Sequence, residues 1–269
     1  MDLKIISSRD NPLIKEYIKL RDNKKYRTAE QKFVLEGARI SFDATKSGIS
    51  LVSVFITEDA LEKYFDFMDL LKESSGGRLY LITDKLAGIL EDTKNSQGIF
   101  CVASMLTDSA LDKNLGVSKI KRGRRFAVLD GLQDPGNVGT ILRVSDAVGL
   151  DGVFLCNCCD VYNPKTIRST MGSIFRVPFR DDLSFPEAAQ LIKDCGVVLY
   201  AAVVDQDAES IRETIFCGSS CVVIGNEGNG LSEEDVALCN KRITIRMNGS
   251  IESLNAASAA AIILWEMAK

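Results

Sequence analysis

FAVLDGLQDPGNVGTILRVSDAVG, residues 126–149, decides the fold. Phe126 to Asp130 reads as a strand whose apolar run is too continuous for one wet face. A loop follows, GLQDPGNVG (131–139), with Pro135-Gly136-Asn137 read as a tight turn. Then comes a helix, TILRVSDAVG (140–149), stopped by Gly149. Strands buried on both faces belong to parallel sheets covered by helices.

Working outward, the same beat repeats to the C-terminus. GVFLCN (152–157) leads to a helix, PKTIRSTMG (164–172), and IFRVPF (174–179) to another, FPEAAQLIKDC (185–195). VVLYAAVV (197–204) precedes a short helix near Ala208 to Thr214. CVVIGN (221–226) leads to LSEEDVALC (231–239), with Ser232 as N-cap. RITIRM (242–247) leads through NGSIES to the last helix, which Ser253 is read as capping. The expectation is an α/β domain over 126–269, with ligands bound in loops at the carboxyl ends of the strands.

Residues 1–105 read as a smaller α/β unit. Asn11 caps a helix with Pro12 at its first position, and Leu13, Ile14, Tyr17, Ile18 and Leu20 form its apolar stripe. FVLEGARISFDATKSG gives a strand, a Glu-Gly turn and a helix ended by Gly48. LVSVFIT, RLYLIT and GIFCVASM are further strands, and a short helix spans Asp84 to Leu90. Polar, basic residues 106–125 read as the linker.

Composition excludes several classes. Hydrophobic content is 46% and charged content 26%, ordinary for a globular chain. No apolar stretch reaches the length of a membrane span. No apolar core follows Met1-Asp2-Leu3-Lys4, so no signal peptide is read and a cytoplasmic protein is expected. There is no histidine, which removes Ser-His and Cys-His catalysis. Among the eight cysteines, CNCC (156–159) and CGSSC (217–221) lack paired metal spacing; they read as buried or half-buried thiols, with no metal. Net charge is −4, yet residues 1–30 hold eight Lys/Arg against five Asp/Glu, and 119–125 packs five cations into seven residues. Such local patches, here segments 4–32 and 119–125, can contact phosphates despite the overall charge.

Three strand-end loops carry unusual residues. The first has Asn137, Gly139 and Arg143, the last placed one turn into its helix. The second, GNEGNG (225–230), has Gly225, Glu227, Gly228 and Gly230. The order is wrong for a dinucleotide fingerprint, and the acidic first turn of the following helix opposes a phosphate. The third runs from Met247 through Gly249 to Ser253, Leu254 and Asn255.

Together these loops resemble the three motifs of the SpoU (TrmH-type) RNA ribose methyltransferases of the SPOUT class. FVLEGAR is similar to the ribosomal-protein-like substrate-binding domain often joined to them. One departure is Arg246, where the family usually has Pro before Met.

The resemblance implies a deep C-terminal trefoil knot, a homodimer, and methyl transfer from S-adenosylmethionine to a ribose 2′-hydroxyl, on ribosomal RNA ahead of tRNA. It implies Arg143 beside the attacking oxygen and its phosphate, with Asn137, Glu227, Ser253 and Asn255 shaping the catalytic pocket. It implies Gly225, Ile245, Met247 and Leu254 around the cofactor. Leu142, Val148 and the apolar face of the last helix are candidates for the dimer interface. A non-catalytic RNA-binding or assembly protein of the same fold is the competing reading, motivated by Arg246.

Overall fold

Asn11 accepts the backbone N–H of Leu13 at 2.9 Å, and Pro12 opens the first helix, as the cap signature requires. The computed structural model describes residues 3–93, 96–106, 123–216 and 218–269. They divide into two units. One runs to Leu106 and includes Tyr162–Phe175; the other holds the remaining described residues up to Val161 and Arg176–Lys269.

The first unit follows the order β1 (Lys4–Ile6), α1 (Pro12–Asp22), α2 (Lys24–Glu30), β2 (Lys32–Glu36), α3 (Ala38–Lys46), β3 (Leu51–Ile56), α4 (Glu58–Lys63), α5 (Met68–Ser74), β4 (Leu79–Ile82), α6 (Asp84–Leu90) and β5 (Ile99–Ser104). Its sheet order is β1-β4-β3-β5-β2, with β5 antiparallel to both neighbours. Ile14, Tyr17 and Leu20 of the α1 stripe are buried in its core, where the Tyr17 ring meets Phe55 and Phe100 edge-on at 6.1 and 6.0 Å.

The second unit contains β6 (Arg125–Asp130), α7 (Pro135–Val148) and β7 (Gly152–Cys156). The chain then enters the first unit as α8 (Pro164–Thr170) and a 3-10 turn at Ser173–Phe175. There Arg168 pairs with Asp92 at 2.6 Å and Glu36 at 3.5 Å. It returns as β8 (Phe179–Arg180), α9 (Phe185–Asp194), β9 (Val198–Ala202), β10 (Glu209–Ser210), β11 (Ser220–Ile224), α10 (Glu233–Ala237), β12 (Lys241–Thr244) and α11 (Ala256–Ala268). The seven strands run β10-β12-β9-β11-β6-β7-β8, and every pair is parallel. Phe126, Val128, Phe154, Cys221 and Val223 pack with Phe185, Ala188 and Ile192 of α9. This is the parallel α/β sheet that the uninterrupted apolar strands predict.

Three local expectations are corrected. Asp134 caps α7 and Pro135 is its first residue, so Pro135-Gly136-Asn137 is a helical turn rather than a tight loop. IFRVPF is a 3-10 turn followed by a two-residue edge strand; Ile174, Val177 and Phe179 are buried although only the end of the stretch pairs as a strand. The segment 208–214 is no helix: β10 pairs with β12, and the Ile211 N–H reaches the Thr244 carbonyl at 3.0 Å. Most of the expected linker, residues 107–122, lies outside the described residues, as does Cys217.

Candidate active site

Four loops meet at the carboxyl ends of β6, β9, β11 and β12. Glu227, just beyond β11, is the centre of a hydrogen-bonded chain. Its carboxylate accepts the backbone N–H groups of Gln133 at 3.2 Å and Asp134 at 3.1 Å. It also accepts the Asn137 side-chain amide at 3.0 Å. Asn137 Oδ1 in turn accepts the Asn255 side-chain amide at 3.0 Å. Asn255 Oδ1 accepts the N–H groups of Ala257 at 2.9 Å and Ser258 at 3.3 Å, satisfying the orphan donors at the start of α11. The cap is therefore Asn255, not Ser253, and it holds a second task through its amide.

Burial pushes the Glu227 carboxyl up. Donors from Asn137, from its own backbone and from Asp134 and Gln133 outweigh that and hold it below the ordinary glutamate value. An acceptor-only carboxylate so surrounded is an anchor for loops and a poor proton acceptor.

A cavity of about 460 Å³ opens beside this chain, within the range of small-molecule sites. Ile224 to Leu231 form one wall, and Thr244, Ile245, Met247, Ser253 and Leu254 another. Ala259 and Ile263 of α11 contribute to its lining. Arg246 is exposed and outside the lining, while its neighbours Ile245 and Met247 belong to it, so the departure from the family pattern leaves the wall intact. Gly225 is required here by packing: a Cβ would collide with the backbone of Gly230 and Leu231.

The structure thus places Gly225, Glu227, Ile245, Met247, Ser253 and Leu254 at one cavity, and Asn137 and Asn255 behind it through Glu227. Arg143 is not brought in. Because α7 begins at Pro135, Arg143 lies more than two turns into the helix, exposed and absent from the cavity lining. Leu142 is fully buried within its own chain and so is no interface candidate. Sequence reasoning missed the amides of Gln133 and Asp134, although Asp134-Pro135 carried a helix-start signal. It also missed Asn226.

The CNCC thiols lie next to the site loops but not in the lining. Cys156 is buried, and Cys158 points its Sγ at the carbonyls of Leu129 (3.2 Å) and Cys156 (3.4 Å). Burial pushes both thiols up to about 12, leaving them protonated near neutral pH. Of the basic segments, Arg27 is turned inward to the carbonyls of Leu20 and Arg21, while Lys19, Lys24 and Lys25 stay exposed. Residues 119–122 lie outside the described residues, and Arg124 approaches Asp151 at 3.9 Å.

Comparison with known proteins adds to this geometry. Residues 124–265 match the model of the SpoU rRNA Methylase family, and residues 11–101 that of the MRM3-like substrate binding domain. A 23S rRNA (guanosine(2553)-2′-O)-methyltransferase, RlmP of Bacillus subtilis (strain 168), is 31% identical over 98% of this chain and 99% of its own. The AdoMet-bound rRNA methyltransferase of Sinorhizobium meliloti superposes with a TM-score of 0.85 at 25% identity, covering 98% of this chain and 97% of that one. The SpoU methyltransferase AviRb of Streptomyces viridochromogenes, in complex with AdoMet, gives 0.81 at 27%, covering 96% and 97%.

Proposed function

The chain belongs to the SpoU rRNA Methylase family, and on that premise we propose that it methylates a ribose 2′-hydroxyl of ribosomal RNA using S-adenosylmethionine. One observation carries the reading: Glu227 in the loop after β11, Asn137 in the first turn of α7 and Asn255 at the start of α11 form a single chain against a cavity of cofactor size.

The residues present fit the cofactor. Ile224, Ile245, Leu254 and Ile263 offer apolar surface to an adenine and a methionyl chain, and the glycines of 225–230 expose backbone for polar groups. When bound, S-adenosylmethionine supplies a methyl group already activated by its sulfonium. The protein's work is therefore alignment of the hydroxyl and stabilisation of charge developing on its oxygen. Glu227 and Asn255 fix Asn137 and the loop edges. Ser253, in the cavity wall, takes the role of a hydrogen-bonding group toward the reacting ribose.

Arg143 is assigned to the attacking oxygen and the adjoining phosphate, as a fixed cation rather than a base. Its place on the exposed face of α7 supports a site completed by a second copy of the chain. Ile262 and Trp265, three residues apart on α11, are 41% and 62% exposed, which supports an apolar dimer contact. The packing of α11 against α7 and β11, after a strand that enters between β9 and β10, is in keeping with a C-terminal trefoil knot. The N-terminal unit, with a ribosomal-protein-like fold, grips RNA outside the site; Lys19, Lys24 and Lys25 are among its exposed cations. Action on ribosomal RNA places the protein in the cytoplasm. Among the described residues no helix is long and apolar enough to cross a membrane, and no acidic or cysteine group is arranged to hold a metal.

The test is methyl incorporation from labelled cofactor into unmodified ribosomal RNA and, in parallel, tRNA, with wild type and Arg143→Ala. Incorporation into ribosomal RNA by wild type, lost in Arg143→Ala, is expected. Equal incorporation by both removes the Arg143 assignment. Absence of incorporation together with failure to bind cofactor in calorimetry leaves the assembly-protein reading.

A further inference from the structure

Asn226 lies between the glycine that admits the cavity wall and the glutamate that anchors the site, and every polar atom of its side chain is used. Its Nδ2 donates to the Gly131 carbonyl at 2.8 Å, 95 residues away in sequence. Its Oδ1 accepts the N–H groups of Gly228 at 2.9 Å and Asn229 at 3.2 Å, an Asx-type turn that shapes the 226–230 wall. Its backbone closes the same loop, with its N–H to the Gly230 carbonyl at 3.1 Å and the Gly230 N–H to its carbonyl at 2.9 Å.

The partner of Nδ2 is what gives this arrangement a consequence for chemistry. Gly131, with φ +72°, begins the loop whose next residues present the Gln133 and Asp134 amides to Glu227. A Cβ at Gly131 would lie 3.6 Å from Asn226 Cβ, so the two loops are in contact there. Asn226 Oδ1 holds the cofactor wall, and Asn226 Nδ2 holds the loop that seats Glu227 and, through it, Asn137.

We propose that Asn226 is a positioning residue of the methyl-transfer site: its acceptor maintains the cofactor cavity, and its donor to Gly131 maintains the Glu227–Asn137–Asn255 alignment. The two halves of one side chain are thereby assigned to two separable steps, cofactor binding and turnover. The proposal rests on the methyltransferase reading.

Asn226→Asp separates the halves. The carboxylate still accepts from Gly228 and Asn229. It cannot donate to Gly131, and it sets a negative charge against that carbonyl and the Glu227 carboxylate, whose Oε2 lies 3.5 Å from Nδ2. That neighbourhood raises the pKa of the introduced group. Protonation restores a donor, so the defect weakens as pH falls.

The experiment measures cofactor affinity by calorimetry, and kcat against ribosomal RNA between about pH 6 and 8.5, for wild type, Asn226→Asp and Asn226→Ser. For Asn226→Asp the expected affinity is within about threefold of wild type, with kcat reduced about tenfold at the alkaline end, the equivalent of one lost hydrogen bond to a polar group. The ratio of its kcat to wild type rises toward acid. Asn226→Ser, too short to reach Gly131, loses kcat with a ratio that is flat in pH. A ratio near one at alkaline pH for either variant overturns the proposal, as does a pH-independent defect in Asn226→Asp. If Asn226→Asp does not fold, the Asn226→Ser kcat decides. Inactive wild type with cofactor still bound would count against the function reading instead.

Discussion

Asn255 donates its side-chain amide to Asn137 Oδ1 at 3.0 Å while its own Oδ1 caps the last helix, so one side chain joins the starts of two helices 118 residues apart in sequence. Capping and site assembly are therefore separable by substitution. Asn255→Ala removes both and costs about 1 kcal/mol in stability along with activity. Asn255→Asp keeps a good cap and loses the donor to Asn137. Thermal melts within a few degrees of wild type, with methyl transfer sharply reduced, are the expected result. Full activity in Asn255→Asp would show that the link to Asn137 is idle.

Glu227 gives a pH signature. Its carboxyl is held below the ordinary value by the donors around it. The charged form is the one favoured in the fold, so its contribution is present above the unfolded-state glutamate value, near about 4.3, and disappears as pH falls through the lower folded value. Glu227→Gln replaces an acceptor-only group by one bearing its own donors and removes that dependence. Denaturation at a series of acid pH values should show the wild-type advantage over Glu227→Gln shrinking as pH falls. An advantage constant across that window contradicts the assignment.

The sheet was legible in the sequence because its central strands are buried on both faces. β7 and β11 are buried at every position and β6 at all but its ends, which gives uninterrupted apolar runs between helices. The edges were not. β8 and β10 are two residues each, too short for periodicity to separate from the turns around them. In sequence the helix start at Asp134-Pro135 is indistinct, because Pro-Gly-Asn suits a turn as well as a first helical turn. Ser253 and Asn255 are both cap formers two positions apart, and local chemistry does not choose between them. The choice is visible in a bond to Asn137, which no local window contains. Motif resemblance collected loops that the structure brings together, yet Arg143 stands outside the cavity beside them.

Gly225 tests the cavity. An added methyl must displace the backbone of Gly230 and Leu231. Gly225→Ala is expected to weaken cofactor binding by at least about tenfold, with the seven-stranded sheet retained by circular dichroism, since overpacking costs about 1–3 kcal/mol. Unchanged affinity would place the cofactor elsewhere.

Leu142 and Trp265 divide the core from the proposed interface. Leu142 is 0% exposed and Trp265 is 62% exposed. Leu142→Ala should lower stability by about 2–5 kcal/mol through a cavity. Trp265→Arg should leave the folded chain intact and shift sedimentation from dimer to monomer. A Trp265→Arg protein that sediments as wild type removes α11 from the interface.

The chemical identity of the product decides whether the protein methylates a ribose 2′-hydroxyl. A ribose 2′-O-methyl group blocks the hydroxyl that alkali uses to cleave the adjoining phosphodiester. Unmodified ribosomal RNA labelled by the protein and methyl-labelled cofactor is hydrolysed in alkali, and the products are separated. Ribose methylation leaves the label in alkali-resistant dinucleotides, the expected result. Label in mononucleotides, the mark of base methylation, would contradict it.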